Sequence, residues 1–363
     1  MARTLPILAA LLTLALAALV VATLQVSRPL FDERLEPATL ERIAIAPPDE
    51  ALTFARYRAD GALRVLLVTK YEDGAVSGVS PAQMLGAAAG ATDPIALLAQ
   101  VGYEALARLP ALNPVIETVP VRSLELPFDP IEHNVGIGTN YVEHAREAQV
   151  EEKPFLFPKL VQPTHFLADV PQRDSRLLDY EAELGFVALA DIHADAPRPA
   201  FGLVLGNDFT DRWSLVRNFD GDQEMGRTGF VEGKSREGYA PIGNLLVVPR
   251  DLDAFYREVE LELYVNGRLR QKDKAGGMVW GPAQMLEAVF AREDWRFQRY
   301  DGSVSLLPRA RTLPQRAIVF SGTPAGVIFK PVNVWNHWLY LQPGDEVVIR
   351  SERLGVLQNR IVD

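Results

Sequence analysis

Residues Leu177 to Asp191 read LLDYEAELGFVALAD and place Glu181 and Glu183 at the start of a strongly apolar run. Apolar residues occupy both alternating positions from Leu184 onward, which is typical of a β-strand covered on both faces. Residues two apart in a strand point to the same side, so the two carboxylates would lie together in a buried setting. Removing them from water is costly without a partner. The stretch therefore predicts either a divalent cation or a salt-bridge network at the end of a buried strand.

A second strand serves as the comparison. Residues 258–270 read EVELELYVNGRLR, alternate apolar with charged side chains, and reach Asn266-Gly267, a strong hairpin signal. We expect Glu260 and Glu262 to form the solvated face of this hairpin and to bind no metal.

A third acid follows another apolar run. Residues 200–213 read AFGLVLGNDFTDRW, so Asn207-Asp208 stands where a strand should end. Three carboxylates without cysteine suit a hard cation such as Mg²⁺ or Mn²⁺, with Ca²⁺ as an alternative. The other interpretation of Asn-Asp is an ordinary turn.

Upstream, residues 138–150 read GTNYVEHAREAQV, with His144 and Glu147 three apart. On a helix this spacing puts both side chains on one face, where a carboxylate can orient an imidazole that acts as a general base. The alternative is a solvent-facing histidine beside an acid.

Farther along, Lys234 could stabilise an oxyanion and Thr323 could hold a carboxylate, although either could equally be a surface charge or a turn residue.

Composition excludes several classes of function. The chain has 363 residues, with 37 basic against 47 acidic side chains and a net charge of −10, so nucleic acid is not an expected partner. It has no cysteine, which excludes disulfides and thiolate sites. Of its five histidines, we interpret the four other than His144 as structural.

The N-terminus carries a separate signal. Leu5 to Leu24 contain no charged residue and follow Arg3, a pattern typical of an uncleaved membrane anchor; a cleaved signal peptide and a buried core helix are the alternatives. We expect the globular part to be extracytoplasmic, in the periplasm, or secreted if the segment is cleaved. The predicted divisions are an anchor or signal at 1–28, a small N-terminal module at 29–130 and a catalytic domain at 131–363.

The rest of the chain favours an α+β fold that is mainly β. ALTFARY, residues 51–57, and LRVLLVTKYEDGAVSGV, residues 63–79, predict strands around an Asp73-Gly74 turn, and PIALLAQVGYEALARL, residues 94–109, has helical spacing. Short apolar runs separated by Gly and Pro predominate after residue 130.

Taken in order, these motifs resemble the fumarylacetoacetate hydrolase family. GTNYVEHAREAQ is similar to its Asn-Tyr-x-x-His-x-x-Glu segment, FLFPK to its Phe-x-Lys, DYEAEL to its paired-glutamate strand and GNDFT to its Asn-Asp loop, and GKS, PIG, VNGRLRQ, SGTPAGV and LQPGDEV follow. The resemblance covers roughly residues 136–363 and implies a mixed β-roll, usually a homodimer.

The resemblance also implies roles for individual residues. Glu181, Glu183 and Asp208 would hold a divalent metal, His144 and Glu147 would activate water, and Lys234 would act with them. Substrate contacts would come from Tyr141, Lys159 and Thr323. The implied reaction is hydrolysis of a carbon–carbon bond in a 1,3-diketo or 2-oxo acid of the acylpyruvate type.

Other activities fit the same site. Decarboxylation, hydration and isomerisation use the same metal-enolate chemistry, and a membrane-tethered protein that binds an oxo acid without turnover is an alternative from another class. The chain departs from the family around Asp211-Arg212-Trp213-Ser214 and after Lys234-Ser235, where the substrate would lie.

Overall fold

Strands and helices combine around one large sheet, as the α+β prediction requires, and the computed structural model describes residues 4–86 and 90–363. The strands are β1 (Ala51–Ala59), β2 (Ala62–Glu72), β3 (Ala75–Val79), β4 (Ile116–Pro120), β5 (His133–Gly138), β6 (Phe155–Leu160), β7 (Val170–Pro171), β8 (Leu178–Asp179), β9 (Ala182–Ala188), β10 (Ile192–His193), β11 (Phe201–Asn207), β12 (Thr210–Asp211), β13 (Leu246–Pro249), β14 (Glu260–Val265), β15 (Arg268–Lys274), β16 (Arg296–Arg299), β17 (Gly302–Ser305), β18 (Thr312–Leu313), β19 (Ile318–Phe320), β20 (Glu346–Ser351) and β21 (Gly355–Val362). The helices are α1 (Thr4–Val26), α2 (Pro81–Leu85), α3 (Pro94–Val101), α4 (Tyr103–Arg108), α5 (Val142–Ala148), α6 (Arg212–Asn218), α7 (Phe230–Lys234), α8 (Leu252–Arg257) and α9 (Pro282–Phe290).

The large sheet has ten strands in the order β4-β3-β2-β1-β13-β11-β9-β19-β5-β6, and a five-stranded sheet has the order β15-β14-β20-β21-β7. Every residue of β9 and of β11 is buried. This confirms the prediction that the strand after Glu181 is covered on both faces.

The strands of the predicted module extend this same sheet. β1 pairs antiparallel with β13, from Ala51 opposite Pro249 to Phe54 opposite Leu246, and β2, β3 and β4 follow outward. The division of the chain at residue 130 stays a prediction, since the hydrogen-bonded sheet runs across it.

Both predicted hairpin turns are present. Asp73 and Gly74 have φ of 49° and 68°, and Asn266 and Gly267 have φ of 50° and 73°. Two successive residues with positive φ give the turn twist that tight hairpins favour, and glycine adopts it without steric cost.

The expectation that Glu262 is solvated is wrong. Glu262 is buried; its carboxylate accepts hydrogen bonds from Lys272 at 2.7 Å and Arg350 at 2.9 Å, and from the Tyr264 hydroxyl at 3.2 Å. β20 pairs beside β14 in the same sheet and supplies Arg350, and Phe31, Leu35 and Leu40 pack over this face, which alternation along one strand could not reveal.

The helical stretch at 94–109 is broken. α3 and α4 meet at Gly102, whose φ is 86°, and the pair is bent by 97°. The spacing of apolar residues predicted helix on both sides of Gly102. A residue with this positive φ interrupts a helix, so α3 ends before it and α4 begins after it.

The N-terminal segment forms α1, with exposed side chains along most of its length. A search of the described residues finds no single helix that is both long and apolar enough to span a membrane. The apolar part of α1 runs from Ala10 to Val26. The bent pair α3–α4, taken together, is long and apolar enough by length and composition. The expected anchor is thus not borne out by this test. Arg3, on which the expected orientation depends, lies outside the described residues.

Candidate active site

Three acidic side chains meet where β9 begins and β11 ends. β9 and β11 are antiparallel, with Asn207 opposite Ala182, and the Asp208 backbone N–H donates to the Glu181 carbonyl at 3.0 Å. This register brings Asp208 beside Glu181 and Glu183. One carboxylate oxygen of each lies within 4.8 Å of the others, and all three side chains are buried.

The Asn207-Asp208 pair is an internal structure, and a surface turn is excluded. Asn207 and Asp208 are fully buried, and Asn207 Oδ1 accepts the Glu181 N–H at 2.9 Å. Gly206 precedes them because a Cβ there would lie 2.7 Å from the Phe320 ring.

Basic groups surround the acids. Lys234 Nζ donates to Glu181 at 2.7 Å, to Asp208 at 2.8 Å and to the Thr210 hydroxyl at 2.8 Å. Lys159 Nζ donates to the other Asp208 oxygen, and Arg212 Nη2 donates to Glu181 at 2.6 Å. The salt-bridge network that the sequence left open is therefore present for two of the three acids.

Glu183 is the exception. Its Oε2 accepts the Gly322 N–H at 2.9 Å, while its buried Oε1 has no partner among the described residues. Burial, followed by the charges of Asp208 and Glu181, raises the pKa of Glu183 well above its usual range. In contrast, burial of Glu181 is outweighed by the charges of Lys234 and Arg212, which lower its pKa to about 2.

These observations fit a bound cation. An orphaned buried carboxylate oxygen beside two further carboxylates is the donor set that Mg²⁺ and Mn²⁺ prefer. A positive charge near Glu183 would offset both the burial and the repulsion from Asp208 and Glu181 that raise its pKa.

The predicted dyad occupies one face of α5. His144 Nδ1 lies 3.6 Å from Glu147 Oε2, and the two side chains are 10% and 11% exposed, which excludes the solvent-facing alternative. Glu147 also accepts the Gly326 N–H at 3.0 Å and pairs with Lys330. Although burial raises the pKa of Glu147, the nearby His144 imidazole and the charge of Lys330 prevail and lower it. Glu147 is therefore a carboxylate at neutral pH.

A cavity of about 220 Å³ is lined by one residue of the dyad, His144, and by one of the three acids, Glu181. Its other polar lining residues are Thr139, Arg212, Lys234 and Thr323, so four of the predicted site residues line one cavity. Glu147 lies behind His144 and lines a second cavity of about 350 Å³.

Two predicted substrate contacts do not line the 220 Å³ cavity. Tyr141 is 1% exposed with an unpartnered hydroxyl, and Lys159 is fully buried beneath Asp208. The Lys159 ammonium also donates to the Lys234 and Tyr239 carbonyls at 2.7 and 3.0 Å. Its observed contacts are those of a charge that neutralises Asp208, and substrate contact stays a prediction for both residues.

Sequence reasoning missed Asp179 and Arg212. Arg212 Nε donates to Asp179 Oδ2 at 2.8 Å, and Asp179 also accepts the backbone N–H groups of Ile328 and Phe329 at 2.9 and 3.0 Å. A signal existed, because Asp179, Glu181 and Glu183 are spaced by two along the opening stretch.

Comparison with known proteins places this geometry in context. Residues 133–362 match the family model described as fumarylacetoacetate (FAA) hydrolase C-terminal. The chain is 28% identical over 245 residues to the oxaloacetate tautomerase YisK of Bacillus subtilis (strain 168), covering 64% of this chain and 70% of that protein. It is 30% identical over 241 residues to the mitochondrial oxaloacetate tautomerase FAHD2B of Bos taurus, covering 63% of this chain and 66% of that protein.

Among solved structures, the fumarylacetoacetate hydrolase (EaFAH) from psychrophilic Exiguobacterium antarcticum is similar over 86% of this chain and 99% of that one, with a TM-score of 0.57 and 22% identity. At this identity the likeness concerns the fold.

Proposed function

We propose, since the chain belongs to the fumarylacetoacetate hydrolase family, that it is an enzyme that hydrolyses a carbon–carbon bond in a 1,3-diketo or 2-oxo acid. The observation that carries the proposal is one cavity that is lined both by His144, from a buried His-Glu pair, and by Glu181, from a cluster of three buried acids. The expected cofactor is Mg²⁺ or Mn²⁺ held by Glu181, Glu183 and Asp208; when bound, it would supply Lewis acidity toward substrate oxygens.

His144 takes a proton from water. Its Nδ1 faces Glu147 at 3.6 Å, so Nε2 is the nitrogen left to act as the base. The hydroxide adds to the acyl carbonyl carbon, the carbon–carbon bond breaks, and its electron pair leaves as the enolate of the remaining 2-oxo acid. The proton held by His144 then returns to that carbon, which gives a carboxylic acid and a 2-oxo acid.

Lys234 and Thr323 act on charge and orientation. Burial lowers the pKa of Lys234, but the charges of Asp208 and Glu181 outweigh it and raise the pKa, so the side chain supplies a fixed positive charge and no base. Thr323 Oγ1 accepts from Gln271 at 2.8 Å, which leaves its own hydrogen to donate to a substrate carboxylate.

A second candidate reaction is keto–enol tautomerisation of oxaloacetate. Two curated relatives with nearly 30% identity bear that name. The reaction moves a proton between a carbon and a carbonyl oxygen and consumes no water, and His144 is placed to carry that proton.

One assay separates the candidates. Purified protein with added Mg²⁺ or Mn²⁺ is given acetylpyruvate, with pyruvate release followed by a coupled dehydrogenase, and separately oxaloacetate, with loss of enol absorbance followed directly. Hydrolysis predicts pyruvate release that His144→Ala removes. Enol loss without acylpyruvate cleavage favours the tautomerase, and no turnover of either favours the non-catalytic binding protein.

We also propose that α1 anchors the chain in a membrane with the globular part outside the cytoplasm. The uncharged stretch Leu5 to Leu24 supports this proposal. Protease added to cells with a permeabilised outer layer would degrade the globular part, whereas full protection would contradict the orientation.

We propose in addition that the chain is a homodimer, as the family resemblance implies. Light scattering of detergent-solubilised protein tests the dimer.

A further inference from the structure

Most of the residues that line the 220 Å³ cavity are apolar. Three of them are clustered phenyl rings, with Phe155 and Phe230 centroids 4.8 Å apart and Phe157 and Phe230 centroids 5.4 Å apart. The other apolar residues that line the cavity are Ile137, Ala148, Val150, Leu215, Val216, Phe219, Met225, Phe329 and Pro331.

The cations that line the cavity are already paired. Arg212 is held by Asp179 at 2.8 Å and Glu181 at 2.6 Å. Lys234 uses all three ammonium hydrogens on Glu181, Asp208 and the Thr210 hydroxyl. His144 is the one other basic side chain among the described lining residues, and it faces Glu147.

This distribution of charge limits what the far end of a substrate can be. The head of a 2-oxo acid has Thr323 and the acidic cluster at the polar end of the cavity. A second carboxylate at the distal end would be taken from water against phenyl rings without a free cation, which is costly. An alkyl or aryl group would instead gain from burial there.

The entrance continues this character. Val216 and Phe219, at the end of α6 and just beyond it, line the cavity yet are 45% and 39% exposed. Both lie just after Asp211-Arg212-Trp213-Ser214, where the chain departs from its family.

We propose that the substrate carries an apolar alkyl or aryl acyl group, and therefore one carboxylate and no second, distal one. The proposal rests on the proposed function, because it assumes that the dioxo-acid head binds at the acids. The specificity-determining residues are Phe155, Phe157, Phe230, Val216 and Phe219.

The experiment compares three acylpyruvates that share one head group. Acetylpyruvate has a methyl tail, benzoylpyruvate an aryl tail and fumarylpyruvate a carboxylate tail. With the full chain and Mn²⁺, we expect kcat/KM for benzoylpyruvate to exceed that for fumarylpyruvate by at least about tenfold, which is the scale of discrimination by an apolar pocket. A preference for fumarylpyruvate would overturn the inference and point to Lys153 and Arg292, which line an adjoining cavity of about 410 Å³.

A charge introduced at the entrance tests the same inference in reverse. Val216→Arg places a cation beside the apolar wall and should shift the benzoyl-to-fumaryl preference toward fumarylpyruvate by roughly tenfold, since a pocket that pairs a charge rejects substrates lacking it. Val115→Arg is the matched control, because Val115 is 75% exposed and does not line the cavity. An equal shift in both variants, or none in Val216→Arg, would overturn the inference.

Failure of the proposed reaction is distinguishable. If none of the three compounds is cleaved, the hydrolase proposal fails, and calorimetric titration of Mn²⁺-loaded protein with benzoylpyruvate and fumarylpyruvate decides the inference alone. Tighter binding of benzoylpyruvate supports it, whereas equal or weaker binding overturns it.

Discussion

At the scale of single residues, the site carries more acid than base. Four buried carboxylates face three buried cations, which leaves one negative charge unmatched; the carboxylates are Asp179, Glu181, Glu183 and Asp208, and the cations are Lys159, Arg212 and Lys234. That charge falls on Glu183, whose Oε1 has no partner among the described residues. Unpaired buried charge is tolerated in proteins chiefly where function requires it.

Glu183 and Glu181 should therefore respond differently to neutralisation. Glu183→Gln and Glu181→Gln should each weaken Mn²⁺ binding by at least about a hundredfold, because each removes a charged ligand. In metal-free protein at pH 7, Glu183→Gln should raise the free energy of unfolding, because burial and the charges of Asp208 and Glu181 disfavour the ionised carboxylate in the folded state. Glu181→Gln should lower that free energy by about 3 kcal/mol, since Arg212 and Lys234 each lose one buried charged partner. Calorimetry and urea unfolding measure the two quantities.

The dependence of stability on pH should have opposite signs for the two glutamates. The pKa of Glu183 is raised on folding, so its destabilising effect is absent below about pH 4 and grows as pH rises. The pKa of Glu181 is lowered to about 2, so its stabilising effect is present at neutral pH and lost as pH falls toward that value.

Glu260→Gln, on β14, is the control and should change neither the Mn²⁺ affinity nor the free energy of unfolding. Unaltered Mn²⁺ affinity in both site variants would refute the metal assignment.

The dyad decides between a catalyst and a binding protein. His144→Ala should lower turnover by roughly a hundredfold or more while Mn²⁺ affinity is retained, because the general base is lost and the ligands are not. Glu147→Gln should act in the same direction, and the double variant should be little worse than His144→Ala, because the pair works as a unit. Turnover close to wild type in His144→Ala with metal bound would show that another group activates water.

Local patterns identified individual site residues where the pattern itself carries the chemistry. Paired acids before an apolar run and His-x-x-Glu on a helix are visible in one segment, and the structure buries both sets. Arg212 and Lys330 could not be assigned this way, because each acts on an acid far away in sequence. Glu262 failed for the same reason, since its partner Arg350 lies on another strand.

At the scale of elements, one loop connects the parts of the site. The segment 326–333 donates backbone N–H groups to Glu147 from Gly326 and to Asp179 from Ile328 and Phe329. It also supplies Lys330, whose ammonium pairs with Glu147. The loop thus holds both the orienting acid of the dyad and the partner of Arg212.

Lys330→Met tests this connection. The free energy of unfolding should fall by about 1–3 kcal/mol at pH 7, because a buried carboxylate loses a charged partner while the Gly326 N–H remains. Folding lowers the pKa of Glu147 from its ordinary value of 4.5, partly through Lys330. Its stabilising effect is therefore present above that value and lost as pH falls through the folded pKa. The difference in free energy of unfolding between wild type and Lys330→Met should become smaller below about pH 4.

An exposed ion pair provides the comparison. Lys274 pairs with Glu258 with both side chains more than half exposed, so Lys274→Met should leave the free energy of unfolding nearly unchanged at any pH. A gap for Lys330→Met that stays constant from pH 3 to 7 would contradict the assigned role of Glu147.

Elements were predicted well where the signal was local. The Asp-Gly and Asn-Gly turns predicted both hairpins, and the run with apolar residues at both alternating positions predicted the buried strand β9. Joining β1 to β13 depends on pairing between residues about two hundred positions apart, from Ala51 to Pro249. No periodicity within either strand records such a partner.

At the scale of the whole molecule, the order of strands makes the N-terminal region integral to the fold. β1 lies between β2 and β13 near the middle of the ten-stranded sheet. α1, in contrast, touches the rest of the chain near its end, where Thr23 donates to the Val332 carbonyl at 3.3 Å and accepts from Trp335 at 3.2 Å. The two parts of the N-terminal region should thus differ sharply in what their loss does.

With α1 as the proposed anchor, the full chain is expected in the membrane fraction, and removal of residues 1–28 should release a soluble, folded protein. The deletion removes α1 and its few hydrogen bonds, including that of Asn333 to Ser27 at 3.3 Å, and leaves every sheet strand in place. The free energy of unfolding should change by no more than about 2 kcal/mol, since the hydrogen bonds of Thr23 and Ser27 that the deletion removes are partly exposed. Removal of residues 1–60 is the matched comparison: it takes β1 from the middle of the sheet and exposes unpaired strand edges, so we expect aggregation. Fractionation and urea unfolding check both. A shorter deletion that remains with membranes would contradict the anchor, and a longer one that unfolds cooperatively would contradict the place of β1 in the core.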